Sequence, residues 1–238
     1  MTSNRKILAF GAHPDDIEFG CGAIIAAEVE AGLEAKLVVT SLGEASSSGT
    51  PKVRLKESEN AAKILGASIE ILELDGDSHL ELKPGNSIKL AETIRRFKPS
   101  IVLAPTPYEN QHPDHSKLGK LVRDAGRLAR FGGLLELEYL TPHRVDSIFF
   151  YGVTPDTIPQ SETPVYIDIS SPSILNKWRE AMEAHESQTS FDRYVELQLT
   201  HARLAGLVAG VEYAIPLIPS NPLIFRSLSE AGSGARHF

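Results

Sequence analysis

Short apolar runs alternate along the chain with longer segments in which apolar residues recur at helical spacing. The runs KILAFGA, AKLVVTSL, SIEILEL and SIVLAP have the length and the apolar content of buried strands. A helical segment follows each run, and Thr50 with Pro51 marks the start of one helix, because proline is favoured at the first helical position. This alternation predicts a Rossmann-like α/β fold, with a mostly parallel sheet and helices on both faces.

The last third of the chain has a less regular pattern. VDSIFFYG and PVYIDIS predict two later strands, and the stretches from Pro172 to about Gln188 and from Tyr194 to about Val208 predict helices. We therefore expect one domain over residues 1–238, with a more irregular C-terminal third from about residue 155. The apolar, proline-rich segment 211–225 is expected to pack in an extended form, either over the core or in an interface.

Composition excludes several classes of protein. Of the 238 residues, 42% are hydrophobic and 23% are charged, which is enough apolar material for a core and argues against disorder. A net charge of −7 argues against a general nucleic-acid binder, which must neutralise phosphates. The lone cysteine, Cys21, excludes an internal disulfide and a cysteine-rich zinc site. No spanning run and no signal-peptide pattern is visible, so we expect a cytoplasmic protein without a membrane partner.

Polar residues with metal-ligand chemistry follow two of the predicted strands. The first strand ends in AHPDD, which contains His13, Asp15 and Asp16, and the loop after the fourth strand contains HPDH at residues 112–115. In the usual doubly wound order, strands 1 and 4 diverge at the topological switch point, and ligands bind beyond their carboxyl ends. The two loops are therefore expected to face each other across one crevice.

Imidazole and carboxylate groups at short spacing are typical ligands of Zn²⁺ or a similar divalent ion. His13 and Asp16 are separated by a turn that proline stiffens, so both can bind one ion, and a histidine from the second loop would complete a three-ligand set. Three protein ligands leave a position for water, which becomes acidic enough to give hydroxide near neutral pH. Asp15 is then a candidate general base, His112 a proton donor or oxyanion stabiliser, and Asp114 a residue that orients a histidine.

Each motif also has a purely structural interpretation. HPDD is compatible with a turn in which Asp16 caps the next helix, and HPDH is compatible with an ordinary turn and cap. Two such clusters at the ends of two parallel strands favour a functional site instead. GCGAII lacks the third glycine of a dinucleotide loop, and DGD at Asp75–Asp77 is interpreted as the turn after the third strand rather than a metal–nucleotide site.

The two loop motifs are similar to those of a known enzyme family. AHPDDIEFGCG and QHPDHSKLG resemble the LmbE-like, or PIG-L, family of metal-dependent N-acetylglucosaminyl deacetylases. The resemblance continues through SLGEASSSGTPKVRLKESENAAKILG, AHESQ at residues 184–188 and GVEYA at residues 210–214, so it covers most of the chain. The bacillithiol-biosynthesis type resembles this chain most, although Ile215 and Pro216 stand where that branch commonly has an acidic and an aromatic residue.

The resemblance implies a role for each polar residue of the two loops. Three residues match the family's metal ligands, namely His13, Asp16 and His115. Asp15 matches the general base, and His112 matches the histidine that protonates the leaving amine or stabilises the oxyanion, with Asp114 as its partner. Arg54 resembles an arginine that contacts substrate near the acetyl group. The implied cofactor is Zn²⁺, with another divalent transition metal such as Fe²⁺ as the alternative.

The implied activity is hydrolytic removal of an acetyl group from a small N-acetylglucosamine-type conjugate. Two other classes of protein stay open at this point: a metal-binding sugar-recognition protein without turnover, and a nucleotide-sugar glycosyltransferase-like enzyme that uses DGD. Asp15 argues against the first class, since binding alone needs only the three ligands. The family contains homo-oligomers, so the resemblance also implies a homo-oligomer, with segment 211–225 and the C-terminal tail near the contacts.

Overall fold

The computed structural model describes residues 5–109, 112–154, 158–159, 161–189 and 193–232. Within these residues the strands are β1 (Lys6–Gly11), β2 (Glu34–Val39), β3 (Ser68–Ile71), β4 (Ile101–Pro105), β5 (Ser147–Tyr151), β6 (Val165–Asp168) and β7 (Ala214–Pro219). The α-helices are α1 (Asp16–Glu30), α2 (Pro51–Leu65), α3 (Pro84–Phe97), α4 (Pro113–Leu128), α5 (Pro172–Glu183), α6 (Glu186–Thr189) and α7 (Tyr194–Ala209). None of these helices is long and apolar enough to cross a membrane.

The strands form one sheet in the order β3-β2-β1-β4-β5-β7-β6. Strands β1 to β5 pair in parallel, whereas β7 runs antiparallel to both of its neighbours, β5 and β6. The expectation of a Rossmann-like, mostly parallel sheet is confirmed. Because β1 and β4 are adjacent and the connections leave them toward opposite edges, the crevice of the switch point lies beyond their carboxyl ends.

Helices cover both faces of the sheet. On β1, Ile7 and Ala9 face one core and Leu8 and Phe10 face the other, and all four are at most 1% exposed. Helices α1, α2 and α5 pack on the first face, and α3 and α4 pack on the second. This two-sided burial explains why the strands are continuous apolar runs rather than alternating ones.

The local signals at helix α2 act as expected. The Thr50 side chain accepts a hydrogen bond from the Val53 N–H at 3.4 Å, and Pro51 stands at the first helical position. Gly66 ends the helix in the left-handed conformation, with φ of 74°. The start and end of this helix therefore follow from a few residues of the sequence.

The C-terminal third differs from the sequence expectation in one helix, whereas the extended form expected of segment 211–225 is confirmed for residues 214–219. The helix expected from Pro172 to about Gln188 is broken after Glu183, and α6 is a separate short helix. Within segment 211–225, residues 214–219 form β7 inside the sheet, and Ile215 is 6% exposed. β7 contains two prolines, Pro216 and Pro219, and neither has a backbone N–H to donate. Successive residues of a strand point their N–H groups to opposite sides, and the two prolines are three residues apart. The two missing donors therefore face different neighbouring strands.

Candidate active site

The Asp16 side chain hydrogen-bonds the backbone of the loop between β1 and α1. Its Oδ2 accepts the backbone N–H groups of Ala12 at 2.8 Å and His13 at 2.9 Å, so the carboxylate binds the loop instead of capping α1. Asp15 occupies the N-cap position of α1 with φ of 103°, a backbone conformation that residues other than glycine seldom adopt. Such strain is typical of residues whose side chain must be held in one direction.

The loop after β4 brings two histidines to the same place. His112 stands at the N-cap of α4, and its Nδ1 accepts the Asp114 N–H at 3.3 Å. The ring centroids of His13 and His112 are 4.4 Å apart, and His115 lies 5.4 Å from His13. His115 Nε2 is 3.1 Å from Asp16 Oδ1, so the two loops meet as the switch-point argument predicts. Gln111, which belongs to the second motif, lies outside the described residues.

A third acidic loop, which the sequence analysis did not assign to the site, also reaches His13. Asp77 Oδ1 lies 3.2 Å from His13 Nε2 and 3.9 Å from His112 Nε2. Ser78 adopts a left-handed conformation with φ of 65°, and its N–H donates to Asp114 Oδ2 at 2.7 Å. The DGD segment is a turn, as expected, and it also belongs to the site. The position of this turn in the sequence is the signal that could have assigned it to the site. The turn follows the third parallel strand, so it lies at the same edge of the sheet as the loops after β1 and β4.

The charges around His13 fit a bound cation. His13 is 7% exposed, and its Nε2 makes no hydrogen bond of good geometry within the described residues. Burial lowers the pKa of His13, but the carboxylates of Asp16, Asp114 and Asp77 outweigh burial and raise the pKa to about 12. A buried carboxylate cluster needs a positive charge, which either a proton or a metal ion can supply.

Two overlapping groups of ligand atoms lie close enough to hold one ion. The atoms of the first group lie within 4.8 Å of one another and belong to His13, His112 and His115. The second group meets the same limit and consists of His13, Asp77, His112 and Asp114. The expected set of His13, Asp16 and His115 is not one of these groups, although Asp16 Oδ2 lies 3.5 Å from His13 Nδ1 and Asp16 Oδ1 lies 3.1 Å from His115 Nε2. The residues therefore fit a divalent metal, and the assignment of the three ligands stays a prediction.

Asp15 and Arg54 form a pair beside this cluster. Arg54 Nη2 donates to Asp15 Oδ2 at 3.1 Å and to the Pro14 carbonyl at 2.6 Å, and Nη1 donates to the Gly43 carbonyl at 3.2 Å. Burial and the charge of Asp16 raise the pKa of Asp15 to about 6, although Arg54 opposes them. A carboxylate with that pKa accepts a proton readily near neutral pH.

His112 and Asp114 have different surroundings. The side chain of His112 is 33% exposed, and burial together with the charges of His13 and His115 lowers its pKa. The Asp114 carboxylate lies 3.5 Å from His13 Nε2 and 3.5 Å from Lys117 Nζ. Asp114 is therefore positioned to orient His13 as well as to support the backbone turn at His112.

A cavity of 470 Å³ opens over these groups. Its lining combines the charged cluster with one loop, and consists of His13, Asp15, Ala45, Ser46, Ser47, Arg54, Asp77, Ser78, His112 and His115. The candidate base and the candidate proton donor thus face the same space. The substrate contact expected of Arg54 stays a prediction, since Arg54 lines the cavity while its described hydrogen bonds go to protein groups.

Comparison with known proteins identifies the family. The family model described as "PIG-L: GlcNAc-PI de-N-acetylase" matches residues 8–126, a stretch that contains all three site loops. Diacetylchitobiose deacetylase of Thermococcus kodakarensis is 30% identical over 221 residues, which cover 87% of this chain and 78% of that protein. The chain belongs to the PIG-L family.

The names of other similar proteins do not all describe a deacetylase. The crystal structure of the conserved protein TT1542 from Thermus thermophilus has a TM-score of 0.81 and 31% identity, covering 93% of this PIG-L chain and 97% of that one. The 4-oxalmesaconate hydratase of Pseudomonas putida is 30% identical over 127 residues, which cover 47% of this chain and 49% of the hydratase. Sequence similarity to this chain therefore extends to proteins named for different reactions, and the site must decide the chemistry.

Proposed function

We propose that this PIG-L protein is a metal-dependent N-deacetylase acting on a small N-acetylated amino-sugar conjugate. One observation carries the proposal: the Asp15 carboxylate lines the same cavity as the clustered histidines. Metal binding alone does not require this carboxylate, whereas hydrolysis does require a base. The deacetylase of Thermococcus kodakarensis, similar over most of the chain, supports an N-acetylated sugar as substrate.

The metal would be held by His13, Asp16 and His115. A set of imidazole and carboxylate ligands suits Zn²⁺, and Fe²⁺ is the second candidate. A divalent ion bound there would polarise the acetyl carbonyl and acidify the attacking water.

Asp15 and His112 move the protons of the reaction. Asp15 takes the proton of the water that attacks the acetyl carbon, and Arg54 keeps the carboxylate in place through the 3.1 Å contact. His112 lines the same cavity and donates a hydrogen bond to the oxyanion. Because its pKa is lowered, it takes up a proton during the reaction before it donates one to the nitrogen as the carbon–nitrogen bond breaks. Acetate and a free amine are released, with one water consumed.

One experiment separates this function from its rivals. Metal-loaded protein is incubated with N-acetylglucosamine, N,N'-diacetylchitobiose and other N-acetylglucosaminyl conjugates, and amine release is measured with and without chelator. Chelator-sensitive amine release from at least one of them is expected. Stoichiometric metal without amine release from any conjugate would contradict the proposal, and saturable sugar binding in that case would favour a recognition protein.

A hydratase is the second candidate, because a curated hydratase is 30% identical over about half of this chain. Addition of water to a carbon–carbon double bond also uses a base that activates water and an acid that supplies a proton. The same screen therefore includes an unsaturated dicarboxylate, whose loss of ultraviolet absorbance reports water addition. Absorbance loss without amine release would identify the hydratase.

We also propose that the protein is a homo-oligomer. Leu204 and Leu207 on α7 are 60% and 59% exposed, and Ile224 and Leu228 after β7 are 95% and 92% exposed. Apolar side chains this exposed are typical of a surface that another chain covers. Of the expected contact region, residues 233–238 lie outside the described residues. The bacillithiol-type substrate and the cytoplasmic location stay predictions.

A further inference from the structure

The AHESQ segment, at residues 184–188, contacts residues next to those that line the cavity, although it contributes none of the lining itself. It lies at the break between α5 and α6. The Ser187 N–H donates to Glu57 Oε1 at 2.7 Å, and the Ser187 hydroxyl donates to Glu57 Oε2 at 2.6 Å. Gln188 Nε2 donates to the Ser48 carbonyl at 2.9 Å. One short segment thus binds both α2 and the loop that precedes it.

The Glu57–Ser187 contact is nearly buried and lies one turn of α2 away from Arg54. Glu57 is 8% exposed and Arg54 is 4% exposed. Arg54 in turn donates hydrogen bonds to Asp15, to the carbonyl of Pro14 and to the carbonyl of Gly43. A shift of α2 would therefore move the guanidinium that holds the Asp15 carboxylate.

Loop 43–50, which supplies one wall of the cavity, is held at both ends. At its start, Glu44 accepts the Asp77 N–H at 2.8 Å, and Asp77 accepts the Ala45 N–H at 3.2 Å. At its end, Gly49 has φ of 78°, and a Cβ there would lie 2.7 Å from Ser187 Oγ. The loop therefore passes directly over Ser187, at a distance that only glycine permits.

We propose that Ser187, Gln188 and Glu57 are positioning residues, which fix α2 and loop 43–50 so that Arg54 holds Asp15 in place beside the candidate metal ligands. The catalytic part of this inference rests on the proposed deacetylase function, whereas the restraint on the loop does not. A merely structural contact would stabilise the fold without affecting the turnover of correctly folded, metal-loaded protein.

Substitutions at Glu57 separate the two roles. Glu57→Ala and Ser187→Ala are expected to lower kcat per bound metal about 10-fold, with a smaller change in KM. This is the effect expected of residues that orient catalytic groups without contacting the substrate. Glu57→Gln should restore most of kcat, because its amide oxygen accepts the Ser187 N–H and its amide group donates to the hydroxyl. If Glu57→Ala and wild type have equal kcat at a temperature well below the melting temperature of both, the positioning role is overturned.

Two glycine variants provide a matched test that leaves every hydrogen-bonding side chain intact. Gly49→Ala would push the loop off Ser187 and Arg54, because the added Cβ would lie 2.7 Å from Ser187 Oγ and 3.2 Å from Arg54 Cγ. Gly32→Ala is its control, because Gly32 has φ of 93° with nothing within 4 Å of the added Cβ. Both substitutions strain the backbone, but only Gly49→Ala is expected to lower kcat. A similar loss in both variants would contradict the inference.

Hydrogen–deuterium exchange of the metal-loaded protein provides a readout independent of activity. Amides of residues 43–50 should exchange faster in Glu57→Ala, Ser187→Ala and Gly49→Ala than in wild type, Glu57→Gln and Gly32→Ala. Unchanged exchange in the first three variants would overturn the restraint. If wild type releases no amine while this exchange pattern appears, the deacetylase proposal fails and the restraint stands. If Glu57→Ala does not fold, Ser187→Ala and Gly49→Ala decide the question.

Discussion

The chain divides into a parallel region, from β1 to α4, and a mixed region, from β5 to the end of the described residues. In the parallel region the central strands β1 and β4 are buried on both faces, and the loops after β1, β3 and β4 bring every candidate catalytic and metal-ligating residue to one edge. The mixed region contains the antiparallel β7 and the exposed apolar face of α7, and it reaches the site through α6. The chemistry is thus concentrated where parallel strands end together, and the second region holds that chemistry in place.

The largest expected effect is the loss of the metal from the parallel region. His13→Ala should reduce bound metal to near zero, because the variant loses the imidazole at the centre of the carboxylate cluster. Elemental analysis of the purified protein measures this, and circular dichroism checks that the sheet is intact. Stoichiometric metal in a folded His13→Ala protein would exclude this residue as a ligand.

The next effect concerns turnover without metal loss. Asp15→Asn keeps the shape of the side chain but cannot accept a proton, so kcat should fall on the order of 10²-fold or more. Metal content should match wild type, since Asp15 is outside the expected ligand set. Steady-state kinetics with the best conjugate of the screen measures the change. A rate near that of wild type would remove Asp15 from the role of base.

The two carboxylates of the DGD turn test how the third loop contributes. Asp77→Ala should weaken metal binding about 10- to 100-fold, because Asp77 Oδ1 lies 3.2 Å from His13 Nε2 and either orients that ring or binds the ion beside it. Asp75→Asn is the control in the same turn, since Asp75 pairs with Lys83 and Asn86 instead of the cluster. Competition with a fluorescent chelator measures both affinities. Equal affinities in the two variants would show that the third loop is only a turn.

The smallest effect on chemistry is expected from the mixed region's surface. Leu204→Glu and Leu207→Glu should change the stability of the monomer by only about 0.5 kcal/mol, because both side chains are exposed. They should lower the oligomer mass in light scattering while metal content stays unchanged. A wild-type mass near 25.9 kDa, that of one chain, would refute the oligomer.

The parallel region was more predictable than the mixed region for a physical reason. Thr50, Pro51 and Gly66 act within a few residues, so the start and end of α2 follow from the local sequence. The place of β7 between β5 and β6 depends on pairing with strands far away in the chain, which no local pattern encodes. The break of the predicted helix after Glu183 likewise accompanies contacts of α6 with Glu57, a residue of α2.

The sequence by itself determined the elements of the parallel region, the Rossmann-like class and the two motifs whose residues meet in the site, because spacing and side-chain chemistry are local properties. Only the tertiary structure decided that Asp77 lies beside His13, that Arg54 holds Asp15, and that Ser187 binds Glu57 of α2. These contacts join residues on separate elements. Their distances follow from how the sheet and the helices pack, and packing is a property of the whole chain.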